Sequence, residues 1–157
     1  MADTSDSARY AFVPGSHNWP TIVGAQGCHL ITADGTRILD GAAGAIVGNI
    51  GWGRQEVADA IAAVQPQGYV VPLWPTPARL ALRDELVNHW LPEGFHHVFF
   101  TSGGSESTDS ALRLARAYQV GKGRTDRWKI IGRHPSYHGM TTGTMAAASH
   151  DGRQRGF

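Results

Sequence analysis

The chain has little of what usually declares a function outright. A single cysteine, Cys28, in 157 residues excludes an intrachain disulfide and fits a reducing compartment. Neither sign of charge forms a run and the formal net charge is only +1, which argues against a nucleic-acid or anionic membrane surface. No apolar run is long enough to span a bilayer. The opening residues Met1 to Ser7 are polar and lack the apolar stretch of a secretory signal. Two common nucleotide loops are missing as well: there is no GxxxxGK[ST], and no GxGxxG follows a strand. No Ser-His-Asp or Cys-His set has sequence support, and there is no internal repeat or low-complexity tract. The eight histidines add little charge at neutral pH. His134 and His138 are separated by Pro135 and followed by Gly139, so they do not share a helical face, and His96 and His97 would point to opposite sides of a strand; no metal site is expected. These absences lead to the expectation of a soluble cytoplasmic protein.

Glycine and tryptophan are what the chain has in plenty. Twenty glycines imply many tight turns or close backbone approaches. Of five tryptophans, Trp19, Trp52 and Trp74 sit beside Gly or Pro, as pocket walls, interface residues or simple loop anchors do. The spacing predicts an irregular arm over 1–20, then two short strands, Cys28 to Thr32 and Thr36 to Asp40, joined by a turn at Ala33-Asp34-Gly35. Gly41 to Gly53 is too rich in Gly and Ala for either regular element. From Arg54, Val57, Ile61 and Val64 recur at helical spacing until Pro66. After a loop containing Tyr69, Pro72 and Trp74, Thr76 and Pro77 form the N-cap and first position of a second helix, with Leu82, Leu86 and Trp90 as its expected buried stripe. A strand at Val98 to Thr101, a helix at Ser105 to Val120 and a strand at Trp128 to Gly132 make a βαβ unit, hence an α/β fold with a parallel sheet. A small-residue helix is expected from Met140 to Ser149. One such unit cannot cover both faces of a parallel sheet, so the sequence reads as the first part of a larger protein. The expected organisation is an arm (1–20), a segment with the hairpin and glycine-rich stretch (21–75), and the first part of a larger domain (76–157).

The chemistry concentrates after Val98. An apolar strand ending in Ser102-Gly103-Gly104-Ser105 runs straight into a helix. The free N–H groups of a first helical turn, the positive end of the helix dipole and nearby hydroxyls converge there on an anion-sized spot. Such a turn is equally what a plain N-cap requires. Glu106 and Asp109, in the first helical turn, are explained by capping and the dipole. Tyr137 lies just past the second strand and should emerge at the same sheet edge, where ligands of open α/β sheets bind. Its ring could stack on a planar aromatic ligand or merely pack a loop.

These residues carry a resemblance. Asp34-Gly35 followed by Ile38-Leu39-Asp40-Gly41, Gly48-Asn49-Ile50-Gly51-Trp52-Gly53-Arg54, Val98 through Glu106, and Tyr137-His138-Gly139 resemble, in order, the opening hairpin, glycine-rich segment, phosphate-binding turn and cofactor-stacking motif of class III (ω-) aminotransferases. These are pyridoxal-phosphate enzymes of fold type I. The last two motifs, about thirty residues apart, are the specific ones. The resemblance implies that Gly104 and Ser105 bind the phosphate of pyridoxal 5'-phosphate and that Tyr137 stacks on its ring. It implies that His138 and Gly139 shape that turn, and that Ile46 and Trp74 line the substrate pocket. Trp52 stands where histidine or tyrosine is commoner, and Ser107 replaces a frequent alanine.

The same resemblance defines what is not there. The family's chemistry needs a lysine that forms the Schiff base and an aspartate that keeps the pyridine nitrogen protonated. The chain has two lysines, Lys122 after a helix and Lys129 at the start of a strand, and neither matches the family's catalytic position. No catalytic residue is therefore expected in this chain. The expectation is the N-terminal half of a split aminotransferase that moves an amino group between an amine or amino acid and a keto acid, aldehyde or ketone. A C-terminal partner chain would supply the lysine and aspartate, in a heterotetramer or larger assembly. A non-catalytic phosphate-binding or scaffolding module, an inactive truncated fragment, and a decarboxylase or aminomutase of the same superfamily are the alternatives.

Overall fold

The computed structural model describes residues 20–67 and 74–148. The expected arm up to residue 19, the loop residues Tyr69 and Pro72, and the end of the expected 140–149 helix lie outside the described residues. The described residues form two compact units, one on each side of position 69/70.

In the first unit, β1 (Ile22–Gln26), β2 (His29–Thr32) and β3 (Arg37–Leu39) make an antiparallel sheet in that order. Leu30 pairs with Ala25 on one side and with Ile38 on the other, and the register of β1 shifts between Ile22 and Gly24. The hairpin expected from the sequence is present. Its turn is closed by the Asp34 carboxylate, which accepts the Thr32 hydroxyl and the Thr36 N–H, and by Gly35 at φ 85°. That left-handed backbone is the reason for a glycine at the position. The strand β1, with small residues at its centre, went unnoticed in the sequence. One helical turn, α1 (Ala43–Ile46), follows, and then α2 (Gln55–Val64), which gives way at Pro66 to a 3₁₀ turn, Gln65–Gln67.

In the second unit, Thr76 Oγ1 accepts the Arg79 N–H at 3.3 Å and Pro77 opens α3 (Pro77–Glu85), as the sequence indicates. The helix widens into a π turn at Leu86–Trp90. No residue of the expected stripe is fully buried: Leu86 is half-buried, while Leu82 is exposed and Trp90 is 73 % exposed. Burial needs a facing surface, and none of the described residues supplies one. Two further helices, α4 (Gly104–Gly121) and α5 (Thr142–Ala147), pack together, with Gly143 of α5 lying against Asp109 of α4, and Thr144 and Met145 of α5 are buried. Thr141 and Thr144 cap α5 reciprocally.

The segments expected as parallel strands, Val98 to Thr101 and Trp128 to Gly132, form no ladder with each other or with any described residue. The fold-class reading survives this. A strand exists only by virtue of its neighbours, and the two segments flanking α4 are not each other's neighbours. Each is covered on one side: Val98, Phe99 and Phe100 line a groove with Arg79, Leu80 and Arg83 of α3, while Trp128 and Ile130 line a cavity of about 390 Å³ with α4 and α5. Their other surfaces are bare, with Ile131 at 94 % exposure.

Candidate phosphate-binding site

The turn into α4 is built by its own polar residues. Thr101 Oγ1 donates to the Gly103 carbonyl at 3.1 Å and pairs with the Ser107 hydroxyl. Glu106 turns its carboxylate back to accept the Ser102 N–H at 2.9 Å, and the Thr108 hydroxyl bonds the Gly104 carbonyl. Gly103, the N-cap, offers no side chain, and the first amide bonded within the helix is that of Ser107, to the Gly103 carbonyl. The N–H groups of Gly104, Ser105 and Glu106 have no acceptor among the described residues. Three free donors at the positive end of an 18-residue helix are what an anion would need there.

The two glycines are not there for the chain's own sake. Gly103 is extended (φ −174°) and Gly104 is helical, conformations any residue adopts, and a Cβ on either would meet no protein atom within 4 Å. A side chain there would project into open space. What glycine secures is close approach of a ligand to the backbone, and this is how the residues present fit a phosphate.

Gly139 is the opposite case. It is buried, at φ +138°, and a Cβ on it would lie 2.7 Å from both Ser105 Oγ and Thr144 Oγ1 and 2.9 Å from Ser105 Cα. The next residue, Met140, donates its N–H to Ser105 Oγ at 3.0 Å. Ser105 thus joins the helix start to the Tyr137-His138-Gly139 turn across 35 residues of sequence. With its oxygen accepting from Met140, the hydroxyl retains its proton to donate to an anion. Gly143 seals the same junction, since a Cβ there would meet Asp109 Oδ1 at 2.5 Å. Of the residues singled out in the sequence, Gly104, Ser105 and Gly139 therefore come together, with Tyr137 (55 % exposed) and half-buried His138 on the adjoining turn. The Met140 amide, Thr144 and Gly143 were missed. A contact spanning 35 residues leaves no periodic trace that could have revealed them.

The other two expected site residues fall in different units. Trp74 is exposed, its carbonyl accepting from Arg79 Nη1 at 2.9 Å. Ile46 ends α1, where Ala43, Gly44 and Ile46 have φ of 51°, 63° and 63°. Left-handed backbone costs about 1–2 kcal/mol for each residue with a Cβ, so Ala43 and Ile46 together store roughly 2–4 kcal/mol. The Asp40 carboxylate holds this turn, accepting the N–H groups of Ala42 and Gly44, each at 3.0 Å, and the Trp52 indole N–H at 2.8 Å. These bonds, the indole's first, hold the Asp40 carboxyl below the usual carboxylate range. Among the described residues no cluster of His, Cys, Asp or Glu could hold a metal ion, and no helix is long and apolar enough to cross a membrane.

The fold is that of the large class of fold type I pyridoxal-phosphate transaminases. Over 98 % of its length the chain superposes, with a TM-score of 0.88 and 30 % identity, on an (S)-enantioselective ω-transaminase from Thermomicrobium roseum. The family described as aminotransferase class-III matches residues 12–157, and the chain belongs to that family. It is 34 % identical over 135 residues to an uncharacterised aminotransferase of Bacillus subtilis, covering 85 % of this chain and 30 % of that protein. It is 35 % identical over 125 residues to the putrescine–pyruvate aminotransferase of Pseudomonas aeruginosa, covering 76 % and 27 % respectively. The chain thus spans about 30 % of the length of the curated relatives it matches and 36 % of the Thermomicrobium structure. Class III aminotransferases depend on pyridoxal 5'-phosphate.

Proposed function

We propose that this chain is the cofactor-anchoring N-terminal part of a split class III aminotransferase. The observation that carries the reading is the junction at Ser105, where a helix start with three unbonded N–H groups meets the turn bearing Tyr137. Gly104, Ser105 and Glu106 hold the cofactor phosphate through their amides, with the Ser105 hydroxyl donating a further bond. Tyr137 keeps the ring in plane by stacking, and Gly139 brings its turn close enough to do so. The family resemblance assigns substrate contacts to Ile46 in the first unit and to Trp74 in the second. Bound pyridoxal phosphate supplies an aldehyde that condenses with amines and a ring that withdraws electrons from the adjoining carbon. A C-terminal partner chain provides the lysine that moves the proton and the aspartate that protonates the ring nitrogen. The bare sides of Val98 to Thr101 and Trp128 to Gly132 support such a partner, because they offer unpaired backbone beside exposed apolar side chains. The substrates are an amine or amino acid and a keto acid, aldehyde or ketone, and the assembly is cytoplasmic.

The test is co-expression with the product of the adjacent reading frame, borohydride reduction of the purified complex, and mass spectrometry of both chains. A pyridoxyl group on a lysine of the partner, with this chain co-purifying, is the expected result. A label on Lys122 or Lys129, or no partner and no label, overturns the proposal.

A further inference from the structure

The helix that follows the Tyr137-His138-Gly139 turn is held more firmly than its length warrants. At six residues α5 is too short to be stable in water by itself. It nonetheless carries Thr144, at 0 % exposure the most fully buried side chain among the described residues. Close backbone approaches seat α5 at both ends. A Cβ on Gly143 would come within 2.5 Å of Asp109 Oδ1 on α4, and one on Gly132 would collide with the Ala147 carbonyl.

The Thr144 hydroxyl is wholly engaged with Thr141. Its oxygen accepts the Thr141 N–H at 3.1 Å, lies 2.8 Å from the Thr141 hydroxyl and reaches the Thr141 carbonyl at 3.1 Å. Thr141 Oγ1 in return accepts the Thr144 N–H at 3.3 Å. A buried hydroxyl satisfied on every side stays where it is. Gly139 fits against this fixed oxygen and Ser105 Oγ, with a Cβ excluded at 2.7 Å from each. Ser105 thus bounds the turn from α4, and Thr144 bounds it from α5. Tyr137 stands two residues before the glycine they confine.

We infer that Thr144 is a positioning residue: tied to Thr141, its hydroxyl keeps Gly139 against Ser105 and so sets where Tyr137 stands relative to the free amides of α4. The inference rests on the aminotransferase reading above and divides its site in two. The α4 amides hold the phosphate without help from Thr144, whereas the placement of the ring depends on it.

The experiment uses the assembled complex stripped of cofactor. Three quantities are read: the Kd for pyridoxal phosphate, the Ki of inorganic phosphate against its rebinding, and the circular dichroism of the bound cofactor's absorption band. Thr144→Val keeps the side chain's shape and removes its hydroxyl. It is expected to raise the cofactor Kd about fivefold, the loss of roughly one hydrogen bond, while the phosphate Ki stays within about twofold of the wild type. The dichroic band should weaken as the ring loses its fixed orientation. Thr144→Ser, which retains the hydroxyl, should restore all three readings. Thr141→Ala leaves Thr144 in place but removes its hydroxyl partner. It should move the cofactor Kd and the dichroism in the same direction, and it carries the test if Thr144→Val does not assemble. Unchanged cofactor Kd and dichroism, an equal loss of phosphate and cofactor, or a serine variant as weak as the valine one overturns the inference while the aminotransferase reading stands. A wild-type complex that retains no cofactor is seen before any variant is compared, and it overturns that reading and this inference together.

Discussion

Two glycines near Ser105 have opposite reasons to be glycine, and substitution separates them. Gly104→Ala places a methyl group where no protein atom lies within 4 Å, at the first position of α4. The fold should be unharmed or gain up to about 1 kcal/mol, since alanine is the better helix former. Cofactor retention should nonetheless fall by roughly tenfold or more, the equivalent of one charge-assisted hydrogen bond. Equilibrium dialysis beside thermal melting checks the pair. Gly139→Ala forces a methyl group against Ser105 and Thr144 in a backbone region that excludes side chains. It should cost about 3 kcal/mol of stability, overpacking and backbone strain combined, visible as a lowered urea midpoint. For binding alone, Tyr137→Ala should weaken cofactor retention in the assembled enzyme and Ser105→Ala should do so less. Equal retention in both variants and the wild type would show the assigned residues to be wrong.

The turn held by Asp40 shows what a carboxylate contributes when its partners are backbone amides and an indole rather than a cation. These bonds favour the ionised form, so the Asp40 carboxyl titrates below its unfolded value. Stability from such a group is complete above the unfolded value and is lost as pH falls through the folded one. The same sign holds for Asp34, whose bonds to Thr32 and Thr36 lower its titration in the hairpin turn. Urea denaturation followed from pH 7 into the acid range below about pH 4 should therefore show the wild type losing more stability than Asp40→Asn. Parallel curves for the two proteins would mean that the carboxylate's charge is immaterial. In α3 the lesson is about context. Thr76 and Pro77 start the helix by local chemistry, whereas the stripe at Leu82 and Trp90 finds nothing to cover it among the described residues.

At the scale of the whole molecule, apolar side chains from every part of the second unit stay open to solvent, Phe99, Leu114, Tyr118, Trp128 and Ile131 among them. Exposed apolar surface on this scale marks an interaction face or an aggregation liability. The isolated chain should bind a hydrophobic dye and elute as associated species in size-exclusion chromatography. Under the split-enzyme proposal, addition of the proposed partner chain should abolish dye binding and yield one defined assembly. A monomeric, dye-silent isolated chain would show that these faces need no cover.

Local chemistry was legible in the sequence by itself. The Asp34-Gly35 turn, the Thr76-Pro77 helix start, the long helix after Gly103 and the phosphate turn all follow from residues within a few positions of one another. Their physical causes are short-range: a φ only glycine adopts easily, a hydroxyl reaching an amide three residues on, free amides at a helix start. Family membership was legible for the same reason, because its motifs are contiguous. Only the tertiary structure decided that Met140 bonds Ser105, that Gly139 is buried against it, and that Asp40 ties Trp52 to a left-handed turn. It also decided that Val98 to Thr101 and Trp128 to Gly132 do not pair. Such facts depend on which distant segments meet. A strand's identity, unlike a helix's, lies in its neighbours, and no local pattern specifies them.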